Sequence, residues 1–313
     1  MGNYAFGVDI GGTTVKIGLF DREGCVLDKW EIPTRKDNEG TSILPDVAQS
    51  LLDKMKEKGI GQEELVGIGV GAPCAVDGDG NVVSGAVNLG WKPFNIPEVL
   101  GAYIDIPVKA ANDANAAAFG EMWQGGGKGY ANMVAVTLGT GVGGGIIVDG
   151  NILTGAAGGG GEIGHIHIDD EETEACGCKN KGCLEQYASA TGIVRLAKRR
   201  LEKDNAPSVL REGAVSAKTV FDAVKAGDRV AVEIAEQFGM YLGKGLANVA
   251  NVVNPEIFVI GGGVSRAGEI LLTFVEPEFQ KYAFPACRNA KFALAKLGND
   301  AGIYGAAGLV LGQ

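Results

Sequence analysis

Three cysteines crowd into one short segment, Cys176-Gly-Cys178-Lys-Asn-Lys-Gly-Cys183. A C-x-C-x4-C run brings three thiolates within reach of one ion. A nearby histidine completes a soft Cys3His set with no open position, which is the donor pattern of structural zinc. The chain has only two histidines, His165 and His167. Read as strand residues two apart they face the same side, so spacing alone does not choose between them. Free reduced cysteines are the alternative. Six cysteines in 313 residues are too sparse for a disulfide framework, and Cys25, Cys74 and Cys287 lie far from the cluster.

Glycine-rich turns supply a second chemistry. Asp9-Ile-Gly-Gly-Thr-Thr-Val-Lys16 places Gly11, Gly12, Thr13 and Thr14 between two apolar runs. Glycine there permits positive φ and close backbone approach, so amides can point at an anion while the threonines add hydroxyl donors. Asp9, closing the first run, suits the hydrated cation that accompanies a nucleotide triphosphate. A second loop, Leu138 to Gly145, contains Gly139, Thr140, Gly141 and Gly143. A third, Ile260-Gly261-Gly262-Gly263-Val-Ser265, reads as a strand-to-helix junction suited to an anion. None is a Walker A loop. One such loop is as readily a plain turn, but three in one chain favour phosphate binding.

A carboxylate that can take a proton from an alcohol completes the set. Asp113, in Ala111-Asn-Asp-Ala-Asn115, sits at a strand-to-helix junction. Taken alone, it suits a helix N-cap better than a base.

These groups need elements to hold them. Residues 6–21 align without a gap on residues 134–149, both reading strand, tight turn, strand, which predicts a hairpin in each half of a duplicated chain. Between the hairpins the pattern predicts a helix over 42–58 and a strand over 65–70. A short helix after Pro97, a strand over 107–110 and a helix over 113–123 follow, the last with Asn112 or Asp113 near its N-cap. Beyond the second hairpin it predicts helices over 184–203, 217–226 and 230–253, and a strand over 256–260. A helix from near 267, a strand over 291–297 and a closing helix after 299 complete the chain. Alternating strands and helices mean α/β lobes with mixed sheets. The expected division is 1–112 plus 300–313 as a smaller lobe and 113–299 as a larger lobe carrying the zinc-binding loop.

Composition narrows the function. Lys+Arg 28 against Asp+Glu 38 gives a net charge of −10, which disfavours nucleic acid as a partner. The 51 glycines come with 46% hydrophobic residues and no Gly-X-Y repeat, so they belong to a folded protein and not to collagen or a linker. Met1 to Asp9 lacks a basic region followed by an apolar one, and the longest apolar candidate, 133–148, is broken by glycines. The expectation is a cytoplasmic protein with no membrane partner.

The order DIGGTTVKIG, GAP, NDANAAAFGE, LGTGVGGG, GEIGH, CGCKNKGCLE, IGGGVS and LGNDAGIYGAA resembles the ROK family of bacterial sugar kinases, its glucokinases above all. The resemblance spans nearly the whole chain. It implies a duplicated actin-like, ribonuclease H-like α/β fold, with ATP and sugar in a central cleft between two lobes. It also implies transfer of the γ-phosphoryl of ATP, with magnesium, to a hexose 6-hydroxyl, glucose first. Mannose, fructose and N-acetylhexosamines are alternatives, as is a sugar-sensing regulator of the same family. Such regulators carry an N-terminal helix-turn-helix, whereas here the first loop begins at Asp9. By the same resemblance Asp113 is the base, and Asn112, Asp113, Glu162, His165 and Glu185 contact sugar. Asp9, Gly11, Gly12, Thr13, Thr14, Lys16 and the glycines and threonine of the other two loops bind the nucleotide. His165, completing G-E-x-G-H, joins Cys176, Cys178 and Cys183 on structural zinc and reaches the sugar through its other nitrogen. A homodimer is implied too. Two details stand apart. Cys74 replaces the glycine usual in G-x-P-G-x-V-D, which would be strained if that position needs positive φ. Val87-Asn-Leu-Gly-Trp91 matches the glucokinase version of its segment, although Trp91 can equally be core packing.

Overall fold

The computed structural model describes residues 2–312. The first hairpin is β1 (Tyr4–Ile10) and β2 (Thr14–Asp21), antiparallel with Asp9 opposite Lys16. The next strand, β3 (Val26–Pro33), pairs antiparallel with β2. The chain then forms α1 (Ile43–Lys58) and β4 (Leu65–Ala72), which lies parallel to β1. After α2 (Ile96–Gly101), β5 (Val108–Asn112) lies parallel to β4 and leads directly into α3 (Asp113–Gln124). The sheet order is β3-β2-β1-β4-β5.

The second half repeats this order. Strands β6 (Met133–Leu138), β7 (Val142–Val148) and β8 (Asn151–Ile152) come first. Helices α4 (Ala190–Lys203), α5 (Ala217–Lys225) and α6 (Arg229–Val253) precede β9 (Ile257–Gly261). Then α7 (Ile270–Tyr282), β10 (Lys291–Leu294) and α8 (Ala301–Leu311) close the chain. The second sheet runs β8-β7-β6-β9-β10, with β9 parallel to both β6 and β10. Position by position this is the first sheet again, so the duplication expected from the two hairpins is real in the topology. Apolar β-branched runs buried on both faces, such as β9 with all five residues buried, form the middle of each sheet.

The chain divides into two compact units, Met1–Gly129 with Gly145–Gly161 and Leu297–Gln313, and Tyr130–Gly144 with Glu162–Lys296. The closing helix belongs with the first unit, as expected, but so do residues 113–129 and 145–161, which the sequence-based boundary at 113 assigned to the second. The reason is packing. An added Cβ on Gly305 of α8 would overlap the Ala116 carbonyl of α3, and one on Gly69 of β4 would overlap the Ala306 carbonyl of α8. These backbones touch with no side chain between them.

Several elements differ from expectation, among them the following. The helix over 184–203 is broken after a single turn, Glu185–Ala188. Ser189 (φ −85°, ψ 172°) then restarts it, its hydroxyl accepting from the Gly192 amide at 2.9 Å. Strand β10 stops at Leu294, and residues 298–300 form a 3-10 turn. His165 lies in another 3-10 turn, Ile163–His165, and not in a strand, so the shared-face argument for the two histidines does not apply.

Candidate active site and metal centre

In the first unit the parallel strands β1, β4 and β5 end together: Asp9 is opposite Gly71, and Ala72 is opposite Asn112. The carboxyl ends of parallel strands are where ligands bind in open α/β sheets, because the chain leaves each strand there in an exposed turn. The first glycine loop, the Gly71-Ala-Pro-Cys74 turn and the Asn112–Asp113 junction therefore share one edge.

At that junction the capping question has a definite answer. Asn112 is the N-cap of α3, its Oδ1 accepting from the amides of Ala114 at 3.0 Å and Asn115 at 3.1 Å. Its Nδ2 donates to the Cys74 carbonyl at 3.1 Å and to Asp113 Oδ1 at 3.0 Å. With both lone pairs and both hydrogens engaged, Asn112 aims its neighbour. Asp113 is the first residue inside the helix, where the amide end of the dipole favours a carboxylate. Cys74 has none of the expected strain, since its backbone is not left-handed. Its amide donates a hydrogen bond to the Ala72 carbonyl at 2.8 Å, which turns the chain. Burial and the nearby Asp113 charge push its thiol up to about 11.

Gly11 and Gly12 are not at positive φ, contrary to the reason given for them above. Gly11 is needed for close approach: an added Cβ would stand 2.7 Å from the Thr14 carbonyl oxygen, which its own amide reaches at 3.0 Å. Thr34 straps this loop, its hydroxyl donating to the Gly11 carbonyl at 2.7 Å and its amide to the Thr13 carbonyl at 2.9 Å. Lys16, expected on the phosphates, donates instead to the Asn299 carbonyl at 3.2 Å, and its charge opposes that of Asp9.

Burial raises the pKa of Asp9 to about 6, with the Asp113 charge adding to the rise and Lys16 opposing it. A carboxyl that ionises near 3.8 when unfolded and near 6 when folded holds its proton more tightly in the native state across that window. The stability it contributes is full below about 3.8 and is lost as pH rises through about 6. The expected result is that Asp9→Asn gains stability relative to wild type between pH 5 and pH 7.5. Urea unfolding at the two pH values reads this, and an identical difference at both would refute the assignment.

In the second unit β6 and β9 end side by side, Thr137 opposite Gly261. Gly262 needs its left-handed φ of 84°, and an added Cβ would press on the Leu138 backbone. The third loop runs into a 3-10 turn, Val264–Ala267, so the expected direct entry into a helix is absent and α7 starts only at Ile270. The second loop is pinned by the start of α4: the Ala190 amide donates to Gly139 O at 2.8 Å and the Thr191 hydroxyl to Thr140 O at 2.7 Å. Gly141 faces Glu185, whose Oε2 lies 2.5 Å from where a Cβ would stand, whereas Gly139 has open space and Gly143 only an ordinary neighbour in Thr137.

The same Glu185 meets the metal cluster. Its Oε1 accepts from Cys176 Sγ at 2.8 Å and lies 3.8 Å from His165 Nδ1. The donor atoms of His165, Cys176, Cys178 and Cys183 all lie within 4.8 Å of one another, with Cys176 Sγ 3.7 Å from His165 Nδ1 and Cys178 Sγ 3.6 Å from Cys183 Sγ. Bonds of about 2.3 Å at tetrahedral angles put neighbouring sulfurs about 3.8 Å apart. The donor set therefore fits a four-coordinate ion. His167 is held elsewhere, by the Lys181 carbonyl at 2.9 Å and Asp170 at 2.8 Å. Glu162 is exposed, and its carbonyl accepts the His165 amide at 3.1 Å.

Glu172 escaped the sequence reading. Its side chain is fully buried, bonded to the Tyr187 hydroxyl at 2.6 Å and Arg195 at 2.5 Å, with Arg199 at 3.2 Å. Burial alone would raise its pKa, but these partners outweigh it and bring it down to about 2. It ties the cysteine loop to α4. The only visible signal was Arg195 and Arg199 one turn apart on a helix, which is also ordinary surface charge. Trp91 proves to be core, its Nε1 donating to the Gly40 carbonyl at 3.0 Å.

Comparison with known proteins agrees with this geometry. Residues 5–313 match the ROK family model. The chain is 45% identical over 312 residues to a glucokinase of Halalkalibacterium halodurans, covering 98% of this chain and 94% of that one. It superposes on a ROK family glucokinase from Streptomyces griseus, solved in complex with glucose and AMPPNP, with a TM-score of 0.73 and 34% identity over 98% of both chains. A ROK hexokinase from Thermus thermophilus gives a TM-score of 0.79 and 30% identity, over 97% of this chain and 96% of that one. With the family model matched from residue 5 to residue 313 and a relative 45% identical over 98% of the chain, this protein belongs to the ROK family.

Proposed function

We propose that the chain is an ATP-dependent sugar kinase that phosphorylates the 6-hydroxyl of a hexose, with glucose preferred. The observation that carries the reading is the division of labour at the β5–α3 junction. Asn112 takes the capping role, and Asp113, the first residue of the helix, has its carboxylate held through Oδ1 by Asn112 Nδ2 at 3.0 Å and the Ala114 amide at 2.8 Å, an orientation that suits a base. The sugar O6–H proton passes to the Asp113 carboxylate as O6 bonds to the γ-phosphorus. The bond from that phosphorus to the bridging oxygen breaks, and ADP leaves with the electron pair. Magnesium, when bound with the nucleotide, neutralises charge on the phosphate oxygens. Asp9 is the residue placed to hold its water shell. Gly11–Thr14, Gly139–Gly143 and Gly261–Gly263 present backbone to the nucleotide, and Glu162, His165 and Glu185 take sugar hydroxyls. A site built for those hydroxyls discriminates against sugars that lack them.

The Cys3His donors suit zinc, and His165, Cys176, Cys178 and Cys183 would hold it as a brace for the sugar loop with no position left for water. A homodimer belongs to the same reading. In its support, Val252, Tyr282 and Phe284 lie exposed where α6 and α7 end, with the Phe284 amide bonded to Asn251. A cytoplasmic location belongs to the same reading; among the described residues no helix is long and apolar enough to cross a membrane.

The test is ADP release, coupled to a spectroscopic readout, with each hexose in turn and ATP saturating. The expected result is release that requires added sugar and is fastest in kcat/KM with glucose, from a preparation carrying one zinc per chain. If no hexose stimulates ATP consumption, the kinase reading is wrong.

A further inference from the structure

The first glycine loop carries a cation that its sequence motif does not contain. Lys36 Nζ lies 3.8 Å from where a Cβ on Gly12 would stand, and among the described residues it is the one atom from beyond Gly11–Thr13 within 4 Å of that point. Its position is held from both sides. Two residues earlier, Thr34 is bonded through its amide and its hydroxyl to Thr13 and Gly11 of the loop. On the other side, Asn38, Glu39 and Gly40 are successive left-handed residues, with φ of 52°, 60° and 68°. Two of these are not glycine, so the turn is strained and persists because its neighbours hold it. Gly40 N donates to Lys36 O at 3.1 Å, buried Trp91 donates to Gly40 O at 3.0 Å, and Glu39 pairs with Lys92 at 2.7 Å.

Neighbouring cations are occupied. Lys16 is on the Asn299 carbonyl, Arg35 on Asp46, Lys29 on Asp300 and Lys92 on Glu39. Lys36 has no ion pair or hydrogen bond from its ammonium among the described residues. A strained turn that delivers an uncommitted ammonium over a half-buried glycine backbone has a use where a polyanion lies on that backbone. In a chain of net charge −10, that local charge also offsets bulk repulsion.

We infer that Lys36 binds the phosphates of the nucleotide at the first glycine loop, the role that Lys16 was expected to fill. The inference rests on the kinase reading and adds a residue to it. A charge-assisted contact to phosphate strengthens binding of the polyphosphate and leaves that of the nucleoside monophosphate and the sugar alone.

Lys36→Met and Lys36→Arg test it, with sugar-dependent ADP release and calorimetric titration of magnesium-AMPPNP and of AMP. In Lys36→Met, kcat/KM for ATP is expected to fall about ten-fold or more and AMPPNP binding to weaken to match, the effect of losing one charged hydrogen bond. AMP affinity and KM for glucose stay within about two-fold, and Lys36→Arg recovers most of the loss. An ATP kcat/KM within two-fold of wild type in Lys36→Met overturns the inference. So does AMP binding that weakens as much as AMPPNP binding, because that would mean a general disturbance of the loop. A wild-type protein without sugar-dependent ADP release would sink the kinase reading instead, while the two titrations would still report on Lys36.

Discussion

Asp113→Asn lowers kcat by about three orders of magnitude and leaves KM for glucose within about three-fold. The substitution keeps the shape and hydrogen-bonding reach of the side chain at the first position of α3, so the junction held by Asn112 survives. What is lost is the ability to accept the proton released by the attacking hydroxyl, and a positioned general base contributes about 10²- to 10⁴-fold. Removing a negative charge from the helix N-terminus costs only about 0.3–1 kcal/mol of stability, so a small change in Tm is expected beside the large change in turnover. Steady-state kinetics with glucose and ATP, with thermal unfolding on the same preparation, separates the two. Near-normal kcat in a folded variant would remove Asp113 from its role.

Gly69→Ala is expected to cost more stability than a single methyl usually does. Gly69 lies in β4, between β1 and β5, and α8 crosses it so closely that a Cβ would overlap the carbonyl carbon and oxygen of Ala306. These are backbone atoms, unable to rotate away as a side chain would. Relief requires α8 to lift from the sheet, and Gly7 against Ile303 and Gly305 against Ala116 hold it down at two further points. Overpacking a tight core typically costs about 1–3 kcal/mol and occasionally more. We expect at least about 3 kcal/mol here, a large part of the 5–15 kcal/mol that holds a typical domain together. Gly213→Ala, at a glycine with open space around its Cβ position and no left-handed φ, is the control and should stay within about 0.5 kcal/mol. Urea unfolding of the two variants measures the difference. Equal midpoints would mean that the helix is not seated as described.

The duplicated hairpins, the three loops and the cysteine spacing were legible because each is a local pattern repeated or spaced along the chain. Most helix and strand positions followed from the same periodicity, α5 and α6 to within a residue at each end. His165 was chosen over His167 by the resemblance, since it completes G-E-x-G-H, and the structure sets it beside the three cysteines. His165 sits in a 3-10 turn, and His167 is taken by Asp170. The break at Ser189 was missed because Leu184 to Lys203 is apolar-periodic throughout, and nothing local says that Ser189 will cap a second start.

The 51 glycines divide the two kinds of information most clearly. By itself the sequence determined that they were too many for a linker-free core to need without cause, and it located the loops at 11–12, 139–145 and 261–263 where backbone is offered to a ligand. It said nothing of Gly7, Gly69, Gly120 and Gly305, which sit inside strands and helices where glycine lowers propensity. Only the tertiary structure shows why they are there. The closing helix lies backbone to backbone on the first sheet and on α3, and that approach joins residues 7, 69, 120 and 305, so distant in sequence that no window of local pattern contains them. The same holds for charge. Lys16 has the motif position and Lys36 the geometry, because a side chain's partner is set by what the fold brings within a few ångströms of its end.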